Sequence, residues 1–81
     1  MEIVTQKQAL TAKKIVKELL AKQIKNKSVI GVGVGKEQGE LVVIVYVKDV
    51  KLFSDVPYDV DADGAIVSIL LKEGSMPETL S

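Results

Sequence analysis

The chain has 81 residues, 47% of them hydrophobic, which is enough for one small folded domain. It contains no cysteine and no histidine, so disulfides, thiolate metal sites and the commonest general base are excluded. Lysines supply all eleven positive charges and eleven carboxylates balance them, which argues against a bulk electrostatic affinity for nucleic acid.

The distribution of charge and apolar residues sets further expectations. Residues 1–27 carry seven lysines against two glutamates, so the N-terminal third is basic and the remainder acidic. No basic stretch precedes an apolar one at the N-terminus, and no run of about 18 apolar residues occurs. We therefore expect a cytoplasmic protein without a signal peptide, a membrane span or a cofactor. Because so small a core rarely supplies more than about 3–5 kcal/mol, self-association is the remaining route to further burial.

The first predicted element is an amphipathic helix over residues 6–25. Thr5 and Gln8 have the spacing of a capping box, which favours a helix start at residue 6. Asn26 is expected to end the helix in a left-handed conformation. The predicted apolar face consists of Ala9, Ala12, Ile15, Val16, Leu19, Leu20 and Ile24.

Three predicted strands follow, because the hydrophobic period changes from about 3.6 to two. They cover residues 29–35, 41–48 and 65–71. Between the first two, residues 37–40 indicate a hairpin turn with Gly39 at a positive φ. The predicted fold class is α+β, with one N-terminal helix packed on a three-stranded, mainly antiparallel sheet in the order α-β-β-β. The strand order stays open, because the connection over 49–64 does not fix how the third strand returns.

We assign residues 1–72 to a single domain and residues 73–81 to a flexible C-terminal tail. The last two strands are apolar on both faces, so the sheet needs cover on both sides. Since one helix covers one face, either the segment 49–64 or a second subunit is expected to cover the other. That segment offers four side chains for the purpose: Leu52, Phe53, Val56 and Tyr58.

These patterns favour a small non-enzymatic interaction or accessory module that forms a homodimer, or docks on another protein, through an apolar sheet face. The residues expected to make the contact are Val42, Ile44, Tyr46, Ile66 and Leu70. The five serines have no histidine to activate them, and no carboxylate pair lies in a predicted apolar pocket. We therefore predict no catalytic residue.

The stretch Gly31-Val32-Gly33-Val34-Gly35-Lys36 raises the question of a phosphate-binding loop. Such a loop needs a helix N-terminus directly after its glycines. Here the third glycine comes one position early for the dinucleotide fingerprint, and a strand rather than a helix follows. We interpret the stretch as a strand with one bare face, on which another backbone or a helix can pack closely.

The stretch Asp59-Val60-Asp61-Ala62-Asp63-Gly64 matches the first six positions of a calcium-binding loop. Asp59, Asp61 and Asp63 are the candidate ligands. The twelfth position is Leu70, where such a loop needs a bidentate glutamate, so the oxygen shell is incomplete. A polar turn leading into the third strand is the alternative interpretation.

Four lysines mark the polar side of the predicted helix: Lys7, Lys14, Lys22 and Lys25. A basic face of this kind suits nucleic acid or an anionic surface, and this is the alternative function. The chain has only three aromatic residues, which is few for stacking on single strands. An ordinary solvated helix face is the other interpretation.

Two stretches, "VIGVGVGKEQGELVVIVYV" and "VPYDVDADGAIVSIL", carry a family resemblance. Preceded by an amphipathic helix, they resemble the small αβ module at the N-terminus of some bacterial trypsin-like serine peptidases. The resemblance covers about residues 10–71. The peptidase body and its catalytic triad are missing from this sequence, so the resemblance implies an accessory or pro-region-like module and no peptidase activity.

Overall fold

The structure is a computed structural model that describes residues 4–74. The elements follow in the order α1 (Gln6–Leu19), α2 (Ala21–Lys25), β1 (Val29–Glu37), β2 (Glu40–Val47), a 3-10 helix (Val50–Phe53), β3 (Asp59–Ala62) and β4 (Ala65–Glu73). The fold is α+β, as predicted, but the sheet has four strands rather than three. Most of the predicted tail, residues 75–81, lies outside the described residues, while β4 continues to Glu73.

Helix α1 begins at the predicted capping box. The Gln8 backbone N–H donates to the Thr5 hydroxyl at 3.2 Å, and the Thr5 backbone N–H donates to Gln8 Oε1 at 3.0 Å. The predicted single helix over 6–25 is interrupted at Leu20, where α1 ends and the short α2 begins. The left-handed residue after α2 is Lys27, with φ 67°, rather than Asn26, whose φ is −86°.

Strands β1 and β2 form an antiparallel hairpin, with Glu37 opposite Glu40. The two loop residues, Gln38 and Gly39, have φ values of 51° and 83°. Positive φ at both positions is what a type I′ turn requires, and this turn matches the twist of paired strands. The predicted hairpin and the positive φ at Gly39 are confirmed.

Strands β3 and β4 form a second hairpin, and β3 is the element that the sequence analysis missed. Asp63 and Gly64 occupy its turn with φ values of 51° and 84°. Val60 and Ala62 face the core while Asp59 and Asp61 are exposed, which is the alternation of a half-buried strand. The polar turn predicted here is therefore preceded by a strand of its own.

The sheet has the order β1-β2-β4-β3. β2 and β4 pair in parallel, with Val43 opposite Ile69, and the Gly74 N–H donates to the Val47 carbonyl at 3.0 Å beyond the end of the ladder. The connection between them runs through the 3-10 helix and β3. Two of the three strand pairings are antiparallel, so the prediction of a mainly antiparallel sheet is confirmed.

The main core lies between α1 and one face of the sheet. Ala12, Val16 and Leu20 pack there against alternate residues of β2. Phe53 is buried in this same core and Val56 packs against it. The expectation that the segment 49–64 covers the opposite face is therefore wrong, since Leu52 and Tyr58 are 68% and 86% exposed.

Candidate interaction surface

The two faces of β2 belong to two separate apolar clusters. Val43, Val45 and Val47 point into the main core under α1. A second cluster lies on the face opposite α1, which we call the far face, and consists of Val42, Ile44 and Tyr46 with Leu70 of β4 packed against it. The alternation of side chains along a strand explains this division.

The glycines of β1 lie directly beside the far-face residues of β2. Gly31, Gly33 and Gly35 are the register partners of Tyr46, Ile44 and Val42. A Cβ atom at position 35 would lie 2.5 Å from Ile44 Cδ1, so the Ile44 side chain occupies the space over Gly35. Gly35 thus leaves room for a large neighbour. No helix follows the glycines of β1, as a phosphate-binding loop would need.

The five predicted contact residues all lie on the far face but differ sharply in exposure. Val42, Ile44 and Tyr46 are only 4%, 9% and 6% exposed. Ile66 is 61% exposed, and Leu70 is half-buried. Of the five, the β4 residues are therefore the ones that offer apolar surface to another molecule.

Asp59, Asp61 and Asp63 are placed in the β3–β4 hairpin rather than around a common centre. The Asp61 carboxylate accepts a hydrogen bond from the Gly64 backbone N–H at 3.1 Å, which stabilises the turn. Within residues 4–74, no three acidic or other metal-ligating side chains are grouped closely enough to hold an ion. Of the three, Asp61 lies opposite Ile66 in the ladder, and Asp59 lies opposite Ser68.

The four predicted basic-face lysines are all exposed, two on each helix: Lys7 and Lys14 on α1, Lys22 and Lys25 on α2. The aromatic residues lie elsewhere: Tyr46 on the far face, Phe53 in the main core and Tyr58 in the loop before β3. The helical surface therefore offers charge without a stacking platform.

Two apolar grooves run along β1, and the sequence analysis did not find them. Near the β1–β2 turn, Leu10 and Gln6 of α1 line a groove with Val34 and Leu41. At the opposite end of β1, Ile24 lines a second groove with Ile30. Leu10 is 51% exposed. Its position outside the apolar spacing of α1 was the one signal in the sequence that pointed to a groove.

A further groove of about 360 Å³ lies between the 3-10 helix, the loop that follows it and β4. Its lining is mostly apolar, with Phe53, Pro57 and Leu71 among its residues. Ser54 is part of the wall, and among residues 4–74 no carboxylate or amine lines the groove with it. The groove therefore lacks the base that a serine nucleophile would need.

None of the helices in the described part of the chain is both long and apolar enough to cross a membrane. Comparison of this chain with protein-family models, with curated proteins and with solved structures gave no match.

Proposed function

We propose that this chain is a small non-enzymatic interaction module that self-associates through the far face of its sheet. The observation that carries the proposal is the apolar surface that Ile66, 61% exposed, and the half-buried Leu70 present on the far face beside its buried cluster. A sheet that is apolar on both faces is ordinarily covered on both sides. A second copy is the occupant that we propose for the part of this face that stays exposed.

Two copies related by a two-fold axis would place Ile66 and Leu70 of each against the same residues of the other. Such a contact is small, and it adds burial to a domain whose own core is near the lower size limit. The proposal includes the accessory role that the resemblance to peptidase N-terminal modules implies, without peptidase activity.

The substitution Ile66→Lys tests this proposal, since an exposed residue can be changed without disturbing the core. We expect light scattering at high micromolar concentration to show an assembly for the wild type and a loss of mass for Ile66→Lys. The matched control is Leu52→Lys, at a side chain of similar exposure (68%) that is not on the far face, and it should leave the mass unchanged. A wild-type chain that stays monomeric would overturn the proposal.

The alternative function is binding of nucleic acid or an anionic surface through Lys7, Lys14, Lys22 and Lys25. Their common exposure on the helical layer favours it. Fluorescence anisotropy with labelled single- and double-stranded DNA at low and physiological salt tests it. Salt-sensitive binding that is lost in a Lys14→Glu, Lys25→Glu variant, with the mass of the assembly unchanged, would establish this function.

A further inference from the structure

The two edges of the sheet differ in how they are protected against pairing with another chain. β3 forms one edge, has four residues and exposes two carboxylates, Asp59 and Asp61. β1 forms the other edge and has nine residues, of which the first seven, 29–35, carry no charge and no proline. Short length and charge are the usual protections of an edge strand. β1 carries charge only beside the turn, at Lys36 and Glu37, and its uncharged part has only the irregularity between Val29 and Gly31.

The backbone of β1 directs hydrogen-bonding groups away from the sheet. Residues that flank a two-residue hairpin loop form a hydrogen-bonded pair, which here is Glu37 with Glu40. Because the pattern alternates, Gly35 and Gly33 also bond to β2, and the N–H and C=O groups of Val34 and Val32 point outward. No described strand lies on that side of β1.

Apolar side chains accompany this edge at both ends. Leu10, 51% exposed, lies beside Val34 at the end near the turn. Ile24 and Ile30, 37% and 43% exposed, lie at the opposite end. An arriving strand would therefore meet apolar surface as well as unpaired backbone groups.

Charge decides which occupant fits. Lys27 and Lys48 flank the start of β1, whereas Glu37 and Glu40 outnumber Lys36 at its end, and all five side chains are exposed. A second β1 running antiparallel places the Lys27 end of each copy beside the Glu37 end of the other, whereas a parallel copy would bring like charges together. It also brings the Leu10 groove of one copy beside the Ile24 groove of its partner. The strand is thus complementary to its own antiparallel copy.

We propose that β1 is a second self-association surface, at which two copies pair their β1 strands antiparallel across a two-fold axis and join their sheets into one of eight strands. The inference rests on the proposed self-association and adds a contact to it. The edge axis is perpendicular to the sheet, while an axis relating two far faces lies in its plane. Both contacts together close into four copies with two perpendicular two-fold axes where these axes intersect, whereas axes that do not intersect generate an open filament.

Two variants weaken the edge by different means. Val34→Pro removes an outward N–H at a position where an edge strand tolerates proline. Leu10→Lys places a charge in the groove, and its matched control is Leu19→Lys, at an exposed residue of the same helix (57%) outside both grooves. Circular dichroism confirms that each variant is folded, and Leu10→Lys carries the test if Val34→Pro is not.

Sedimentation velocity over a concentration series, with and without Ile66→Lys, separates the two contacts. We expect both edge variants to weaken one association step by roughly tenfold or more, as truncation of a central contact does, and Leu19→Lys to change nothing. Amide exchange at Val32 and Val34 should slow as concentration rises. An assembly that Ile66→Lys dissociates and both edge variants leave intact overturns the edge contact alone. An assembly that only the edge variants dissociate upholds the edge contact and overturns the far-face proposal. A wild-type monomer overturns both.

Discussion

Ile44 fills the space that a side chain at position 35 would need. The Ile44 Cδ1 atom would lie 2.5 Å from a Cβ atom at position 35. The full length of the isoleucine therefore fits because position 35 has no side chain. This pair gives the glycine at position 35 a steric reason, since the Ile44 side chain of β2 fills the space beside it.

The pair predicts a coupled response to substitution. Gly35→Ala should lower the free energy of unfolding by about 1 kcal/mol or more, since the methyl displaces a buried side chain. Ile44→Val removes Cδ1 and should alone cost about 1 kcal/mol. The double variant should lose less than the sum, because the alanine methyl then occupies the vacated space, and urea unfolding of all four proteins measures this. Strictly additive losses would show that the two positions do not share space.

The capping box of α1 predicts a difference between two threonines. Thr5→Ala removes the acceptor of the Gln8 N–H and should cost about 1 kcal/mol of stability. Thr11 lies inside the helix, where its hydroxyl donates to the Lys7 carbonyl at 3.0 Å, and Thr11→Ala should change stability by less than about 0.5 kcal/mol. Thermal unfolding of the two variants compares them, and equal losses would contradict the assigned cap.

At the scale of residues, some local sequence patterns predict the structure correctly and others do not. The Thr5–Gln8 cap and Gly39 follow from contacts within three or four residues, and both are as predicted. The end of the helices is different. Asn26 uses its side chain to accept from the Ser28 N–H at 2.9 Å, and the left-handed conformation falls on Lys27. The path of the chain into β1 determines which residue takes the left-handed conformation, and residue propensities do not predict that path.

At the scale of elements, β3 shows how a motif can conceal a strand. The three aspartates at alternate positions match a calcium loop, yet the same spacing of two puts Asp59 and Asp61 on one side of a strand, and Asp63 lies in the turn that follows. The Asp63-Gly64 pair between two alternating segments is a strong hairpin signal and was available in the sequence. This turn, with an alternating segment on each side, predicts the fourth strand.

The placement of these aspartates predicts no response to calcium. A ligand that binds the native state raises the thermal midpoint, and a hairpin with no grouped ligands has no such site among the described residues. We expect the thermal midpoint to be the same in millimolar calcium and in chelator. A rise that Asp61→Asn abolishes would show that the aspartates do bind the ion.

Strand order is the element-level property that the sequence could not supply. Both hairpins are local, but the parallel pairing of β2 with β4 depends on contacts between distant segments. Because order determines which strand is an edge, the exposed backbone of β1 could not be inferred. The same gap explains why Leu10 had no assigned role and why Ile24 was assigned only to the apolar face of the helix.

At the scale of the whole molecule, charge is segregated although the net charge is zero. The two helices hold six lysines against Glu18, and the rest of the described chain is acidic. We predict that a cation exchanger retains the protein at low salt, at a pH where its net charge alone would cause no retention. Elution from heparin at the same salt concentration as from the cation exchanger would indicate charge attraction alone. Elution from heparin at a much higher salt concentration would favour the anionic-ligand function instead.

The predicted contact surface differs from the observed one mainly in how exposed its residues are. The apolar pattern placed Val42, Ile44, Tyr46, Ile66 and Leu70 on one face, and they do share it. Periodicity assigns a residue to a face but does not measure its exposure. The exposed part of the surface is at β4, where Ile66 extends away from the cluster.

The parallel pairing of β2 with β4 also orders the events of folding. The β1–β2 hairpin joins neighbouring segments of the chain, whereas the other edge of β2 has no partner until the distant strand β4 pairs with it. Long-range pairing of this kind slows folding relative to local hairpins. Until β4 arrives, β2 offers a second unpaired edge, rich in valine, to any neighbouring nascent chain. The pairing of β4 therefore closes an edge at which an incompletely folded chain is open to aggregation.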